Sequence, residues 1–381
     1  MDNLSGYLVA GRRLKIGLGT STLIATELGT VTIMYMGENG YHNGFAAMVV
    51  GVILLLAYLL VGRTGFIIEG LRKLRVMTIP EFYEFRYRRS VRIIGGVILF
   101  IGGVLNMGVF LKLDSVFLSH AMGFVDTSVA VIMVIMLVAV GLYTMFGGML
   151  SVVFTDYMQF AVMSVGMLLA TVFAFRAVSL PQIATAVSQN LGTDGFNPFS
   201  NPNLGWTFVF WMLLSNFAAA ALYQPGVSRA LSAENPNIGM RLFTIASLTF
   251  AGRAMIPMFL GVVALTLYPG LSGNAAMAAM PHREYVHRRR SLGHRVRTLL
   301  EEGEQCGSVR RAFHRRVRPA AFLVLTGVKS ALPPWIAWLA NPNYSGFASF
   351  ALGALGLLVG SLLTQKISPP KDITPYLEKE N

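Results

Sequence analysis

Apolar residues in this chain gather into runs of about 20 with few charges, and the runs recur along the first 270 positions. That is the length a helix needs to cross about 30 Å of hydrocarbon. The windows predict seven spanning helices, over about 16–36, 44–62, 93–118, 128–146, 152–175, 206–223 and 242–268. Between the fifth and sixth spans, 177–205 is rich in Asn, Gly and Pro, as in Asn197-Pro198 and Asn201-Pro202, and reads as a solvated loop with turns. Between the second and third, apolar Phe66, Ile67, Leu71 and Leu74 alternate with Arg72, Lys73 and Arg75, a pattern that suits a short helix in the headgroup region. Two further apolar stretches follow at about 319–340, broken by Pro333-Pro334, and 345–364, before a polar tail over 365–381. They supply one or two more spans.

Composition agrees with this pattern: 54% of the 381 residues are hydrophobic and 13% charged, against roughly 25% charged in an average globular chain. A single cysteine, Cys306, excludes an intrachain disulfide framework. The start, MDNLSGYLVAGRRLKIG, lacks the apolar core and small-residue site of a secretory signal. The net charge of +13 is concentrated in loops. Arg12, Arg13 and Lys15 precede the first span, eight basic residues fill 63–92, and Arg229 and Arg241 lie between the sixth and seventh spans. The alternate connections hold only Arg176, so the positive-inside rule gives one orientation for all seven helices, with the basic loops cytoplasmic.

The stretch 282–318 is different, with eleven Arg, no Lys and four of the six His. Inserting it would cost roughly 30 kcal/mol at about 3 kcal/mol per central Arg, so it stays in water or on a lipid surface. His282, His287, His294, His314 and Cys306 match no standard zinc spacing, and no phosphate loop or nucleophile elbow occurs.

Charges inside spans are expensive and mark candidate chemistry. Four positions stand out: Glu27, Lys112, Asp114 and Asp156. Glu27 lies near the centre of the first span in ATELGTVT, among Thr26, Gly29, Thr30 and Thr32. These residues suit a helix that unwinds locally and offers oxygens to a hard cation. An interhelical polar contact is the other reading of Glu27. Lys112 and Asp114, two apart, do not share a helix face, which favours structural or snorkelling roles. Asp156, in Thr155-Asp156-x-x-Gln159 after Gly147-Gly148, reads equally as a helix-start cap. Asn216 in the sixth span, or Gln224-Pro225 at its end, can line a cavity or bond a neighbouring helix.

In combination, VAGRRL, TIPEFYEFRY, YTMFGGMLSVVFTDYMQF and QPGVSRALSAEN resemble the sodium:solute symporter family in order and spacing, across about residues 8–240. The resemblance implies an all-α membrane bundle with a five-plus-five inverted-repeat (LeuT-like) fold, sodium as the coupling ion, and a midplane site where the first helix of each repeat breaks. The spans over 16–36 and 206–223 would be those two. By position, the resemblance implies sodium ligands at Ala25 and Leu28 through backbone carbonyls, and at Glu27 and Asp156. It likewise implies solute contacts at Thr30, Thr32 and Asn216. Ala219, Ala220 and Gly51 stand where sugar-transporting members complete their site with aromatic residues and a glutamate, which argues against a sugar.

Family members also place a helix before VAGRRL and continue past Asn274-Ala275-Ala276-Met277 into an eighth core helix. The expectation is therefore a start-truncated chain with an incomplete second repeat. The 282–318 stretch then reads either as an out-of-frame translation or as a genuine cytoplasmic insert. Together these readings predict a multi-pass inner-membrane secondary transporter, not an enzyme, that performs sodium-coupled symport by alternating access, with the incomplete second repeat arguing against full activity; its partners are a small organic solute and membrane lipids. Nucleic acid is not expected and no obligate protein partner is inferable. A symporter-derived membrane sensor or partner-binding module is the alternative.

Overall fold

The computed structural model describes residues 4–121, 129–270 and 355. They are mostly helical, and no strand occurs among them. A short α1 (Leu4–Val9) leads into α2 (Ile16–Glu27) and α3 (Thr30–Asn43), and then α4 (Val49–Thr64) follows. Two small helices, α5 (Ile68–Lys73) and α6 (Ile79–Arg86), precede the long α7 (Arg89–Ala121) and α8 (Val129–Ala177). After α9 (Leu180–Leu191) come α10 (Gly205–Leu222), α11 (Gln224–Leu231) and α12 (Pro236–Leu267). Among the described residues, five helical runs are long and apolar enough to cross a membrane: Thr30–Thr64, Arg89–Ser119, Val129–Ala177, Gly205–Leu222 and Pro236–Leu267.

The break within the first expected span falls at Leu28 and Gly29, both in extended conformation, and α3 then runs on to Asn43. The fourth and fifth expected spans meet without a loop at Gly148, whose φ of 57° and ψ of −150° no helix can hold. Gly148 also meets α1: a Cβ there would sit 2.9 Å from the Tyr7 carbonyl oxygen. Only glycine satisfies both demands.

Three expectations need correcting. The 177–205 connection is half helix, because Ser179 and Gln182 form a capping box, the Ser179 N–H donating to Gln182 Oε1 at 3.0 Å. Ile183 and Val187, four apart, then bury one face of α9 beside Val262 and Val263 of α12. Likewise α5 does not present its apolar face to lipid. Ile68 and Leu71 are buried in the protein core, and Arg72 is buried with them. Arg229, counted among loop charges, lies on α11 and is 7% exposed.

Helix α12 is the central post. Leu242, Phe243, Phe250 and Met258 are fully buried on it, against α2, α3 and α4. Its contact with α3 depends on small residues: a Cβ on Gly40 would lie 1.9 Å from the Met258 carbonyl oxygen, and one on Gly261 would lie 1.8 Å from that of Gly37. Such backbone-to-backbone approach is how helices associate where lipid removes the hydrophobic drive. On α7 and α8 the apolar surface faces outward, with Phe100 and Phe146 among the exposed side chains.

On the side of the basic loops, the segment before α2 pairs with the segment after α11. Leu14 N–H donates to Ser232 O at 3.0 Å, and Glu234 N–H to Leu14 O at 3.1 Å. Arg72 fastens the same place, Nε to Ala233 O at 3.0 Å and Nη2 to Glu234 O at 2.9 Å. Gln224 Oε1 accepts from Ile79 N–H at 3.1 Å, tying the start of α6 to α11. Its role is thus a contact between elements.

Candidate functional site

Unwinding at Leu28–Gly29 frees the last carbonyls of α2 and the first N–H groups of α3 in the middle of the bundle. Ala25 O is closed by the Leu28 N–H at 3.1 Å, and Ile33 N–H reaches Gly29 O at 3.1 Å. Leu28 O accepts from Gln159 Nε2 on α8 at 2.7 Å. Glu27 O accepts from Thr32 Oγ1 at 3.2 Å and from Arg253 Nη1. Thus α8 and α12 converge on the break and hold it open in one shape.

The Glu27 side chain is paired with α12 and α4. Arg253 Nη2 lies 2.6 Å from Oε2, with side-chain exposures of 6% and 17%, and the Tyr58 hydroxyl donates to Oε1. The guanidinium sits 4.2 Å above the Phe250 ring, and Tyr58 packs edge-on to the same ring at 4.1 Å. Pro257, one turn on, has no N–H for the Arg253 carbonyl, so α12 is weakened beside the break. An interhelical contact is therefore what Glu27 makes.

Asp156 lies closer to the side of the basic loops on α8 and forms a second buried pair. Arg229 Nη2 is 2.9 Å from its Oδ2, and the Thr22 hydroxyl on α2 donates to the same oxygen. Arg229 also reaches Pro225 O at 3.1 Å and Thr22 Oγ1 at 3.3 Å. Asp156 is thus no cap for a helix start. It ties α8 to α2 and α11.

The structure gathers Ala25, Glu27, Leu28, Thr30 and Thr32 at the break, while Asp156 sits below them, linked through Thr22. Asp114 on α7 is half-buried, its Oδ1 buried and unmet, whereas Lys112 is exposed. Asn216 stays on α10, donating to its own helix at Met212 O at 2.8 Å. Gly51 leaves no space for a longer side chain, since its Cβ would lie 2.5 Å from Met255 Cγ on α12. The sequence reading missed Arg253, Arg229, Tyr58 and Gln159 as partners. Arg253 carried a usable signal, a lone charge inside the span 242–268, and Gln159 stood in the motif with Asp156; Tyr58 carried none. Among the described residues no cluster of His, Cys, Asp and Glu suits a transition metal, and His282, His287, His294, His314 and Cys306 lie outside them.

Comparison with known proteins places these features. The sodium/glucose cotransporter 1 of Oryctolagus cuniculus is 29% identical over 180 residues, covering 46% of this chain and 26% of the cotransporter. The uncharacterized symporter YidK of Escherichia coli K12 is 26% identical over 292 residues, covering 70% and 48%. The sodium/sialic acid symporter NanT of Aliivibrio fischeri is 25% identical over 220 residues, covering 57% and 42%. The chain thus spans less than half the length of these relatives. A solved Na+-coupled sialic acid symporter, in a substrate-bound outward-open state, superposes with a TM-score of 0.61 at 19% identity, covering 73% of this chain and 60% of that one. The fold is therefore the LeuT-like helical bundle, and the protein is an integral, multi-pass membrane protein. The sequence profile of the sodium:solute symporter family matches residues 7–300, which reaches into the Arg-rich stretch. By that match, over more than half of its length, the chain belongs to the sodium:solute symporter family.

Proposed function

We propose that this chain serves sodium-coupled symport of a small organic solute across the cytoplasmic membrane by alternating access. The observation that carries the reading is the interruption between α2 and α3, which sets carbonyls released from the helical ladder and the Glu27 carboxylate at mid-bundle, walled by α8 and α12. Oxygens are what a hard cation requires. Sodium is assigned to the carbonyls of Ala25 and Leu28 with the carboxylates of Glu27 and Asp156, and solute to Thr30, Thr32 and Asn216. A glucose-like or sialic acid substrate, as in the relatives, is not favoured. The position taken by a glutamate in sugar transporters is Gly51, packed against Met255.

The test is uptake by proteoliposomes containing the purified full chain, with radiolabelled panels of amino acids, carboxylates, vitamins and sugars. Accumulation of at least one solute is expected under an inward sodium gradient, with loss of it when potassium replaces sodium. Accumulation indifferent to that replacement would refute coupling to sodium.

A further inference from the structure

Each carboxylate assigned to sodium already carries a cation of the protein's own. Glu27 is met by Arg253 at 2.6 Å and Asp156 by Arg229 at 2.9 Å. The main-chain oxygens at the break are likewise engaged: Ala25 O by Leu28 N–H, Glu27 O by Thr32 and Arg253, and Leu28 O by Gln159. The Glu27–Arg253 pair is neutral as a unit, so it offers little pull on an incoming ion. Arg253 spans two of the break's acceptors at once, the backbone oxygen and the carboxylate of Glu27. Its Nε is buried with no hydrogen-bond partner, so the guanidinium's hydrogen bonds here come from its Nη groups alone, beside its stacking on Phe250. A buried donor left unmet raises the free energy of this arrangement and eases departure from it.

We propose that Arg253 is a tethered counter-ion that competes with sodium for Glu27. The ion binds at the break only as the guanidinium withdraws, because two cations on one low-dielectric carboxylate repel each other. Arg253 is accordingly a positioning residue that sets sodium affinity: binding is weakened by the fraction of molecules in which the guanidinium is still paired. The proposal rests on the sodium-coupled reading above.

The experiment measures binding of radiolabelled sodium to the purified full chain, with choline holding ionic strength constant. Arg253→Gln is expected to bind sodium more tightly than the unaltered protein, by about tenfold for a competitor present about nine-tenths of the time. Arg253→Lys, which keeps the charge but loses the fork that grips both acceptors, is expected to fall between the two, and stands in should Arg253→Gln not fold. Adding Glu27→Gln to Arg253→Gln is expected to erase the gain. A merely structural role for Arg253 would lower affinity instead. Equal or weaker sodium binding in both Arg253 variants overturns the tethered counter-ion and leaves the sodium reading standing. No sodium binding in any form overturns both.

Discussion

Replacing Gly261 by Ala tests whether the α3–α12 crossing holds the bundle together. The added methyl would sit 1.8 Å from the Gly37 carbonyl oxygen and 2.9 Å from the Tyr41 nitrogen, both backbone atoms that cannot rotate aside. Ordinary contact is about 3.5 Å, so the helices must part by about 1.7 Å. That strain belongs at the upper end of the usual overpacking penalty, about 3 kcal/mol. Gly252 on the same helix is the matched control. A methyl there meets nothing within 4 Å, and Gly→Ala in an unstrained helix stabilises by about 0.5–1 kcal/mol. Thermal unfolding of detergent-solubilised protein, followed by fluorescence-detected gel filtration, should separate the two by several degrees, with Gly261→Ala below the unaltered chain and Gly252→Ala at or above it. Equal midpoints for the two variants would refute the close backbone crossing.

Asp156→Asn leaves the Arg229 guanidinium buried without a counter-charge and should destabilise by about 3 kcal/mol, whereas Asp156→Asn with Arg229→Gln should recover most of that; the same unfolding assay decides, and a double variant no better than the single would dismiss the pair. Exchanging the charges, Glu27→Arg with Arg253→Glu, should likewise fold better than Glu27→Arg alone, which sets two guanidiniums together at a cost of about 4 kcal/mol. Arg72→Ala removes both donors to Ala233 and Glu234. In a background with Cys306→Ser, it should raise maleimide labelling of a cysteine placed at Ser21 several-fold, and unchanged labelling would show that Arg72 does not seal that side.

Some helix bounds were legible because hydrocarbon thickness and backbone satisfaction leave an apolar helix little freedom over where it starts and stops, although the first expected span breaks at Leu28–Gly29 and the fourth and fifth join at Gly148. Thus α10 at Gly205–Leu222 sits where 206–223 was expected. The interruption was legible too, since Thr26, Gly29, Thr30 and Thr32 surround a charge that an unbroken apolar helix would not carry. What the sequence could not disclose is pairing. Tyr58 is one aromatic residue among many in an apolar run, and nothing local says that its hydroxyl meets Glu27. Arg229 counted as a loop charge because its neighbours Gln224, Pro225 and Ser228 look like a connection, yet α11 turns it inward. The 177–205 segment misled for the opposite reason: its turn residues cluster at 192–205, and they masked the capped, two-faced helix ahead of them.

The distribution of the buried charges bears on how such a bundle can move. If the repeats divide before α10, both carboxylates, Glu27 on α2 and Asp156 on α8, belong to the first, and both guanidiniums, Arg229 on α11 and Arg253 on α12, belong to the second. The seam between the repeats is thus closed by attraction between unlike charges, and the alternating access proposed above requires that seam to shift. In a low dielectric, pulling such a pair apart leaves two uncompensated ions, which costs several kcal/mol unless another charge replaces the one withdrawn. Under the proposed symport, a sodium ion at Glu27 would supply that replacement for the carboxylate side alone, and so would loosen the seam where α2 breaks while leaving the Asp156 pair, its Thr22 link and the Leu14–Ala233 bridge in place. In that proposed cycle, motion would begin at the break and reach the fastening on the side of the basic loops last, an order that follows from where the charges stand.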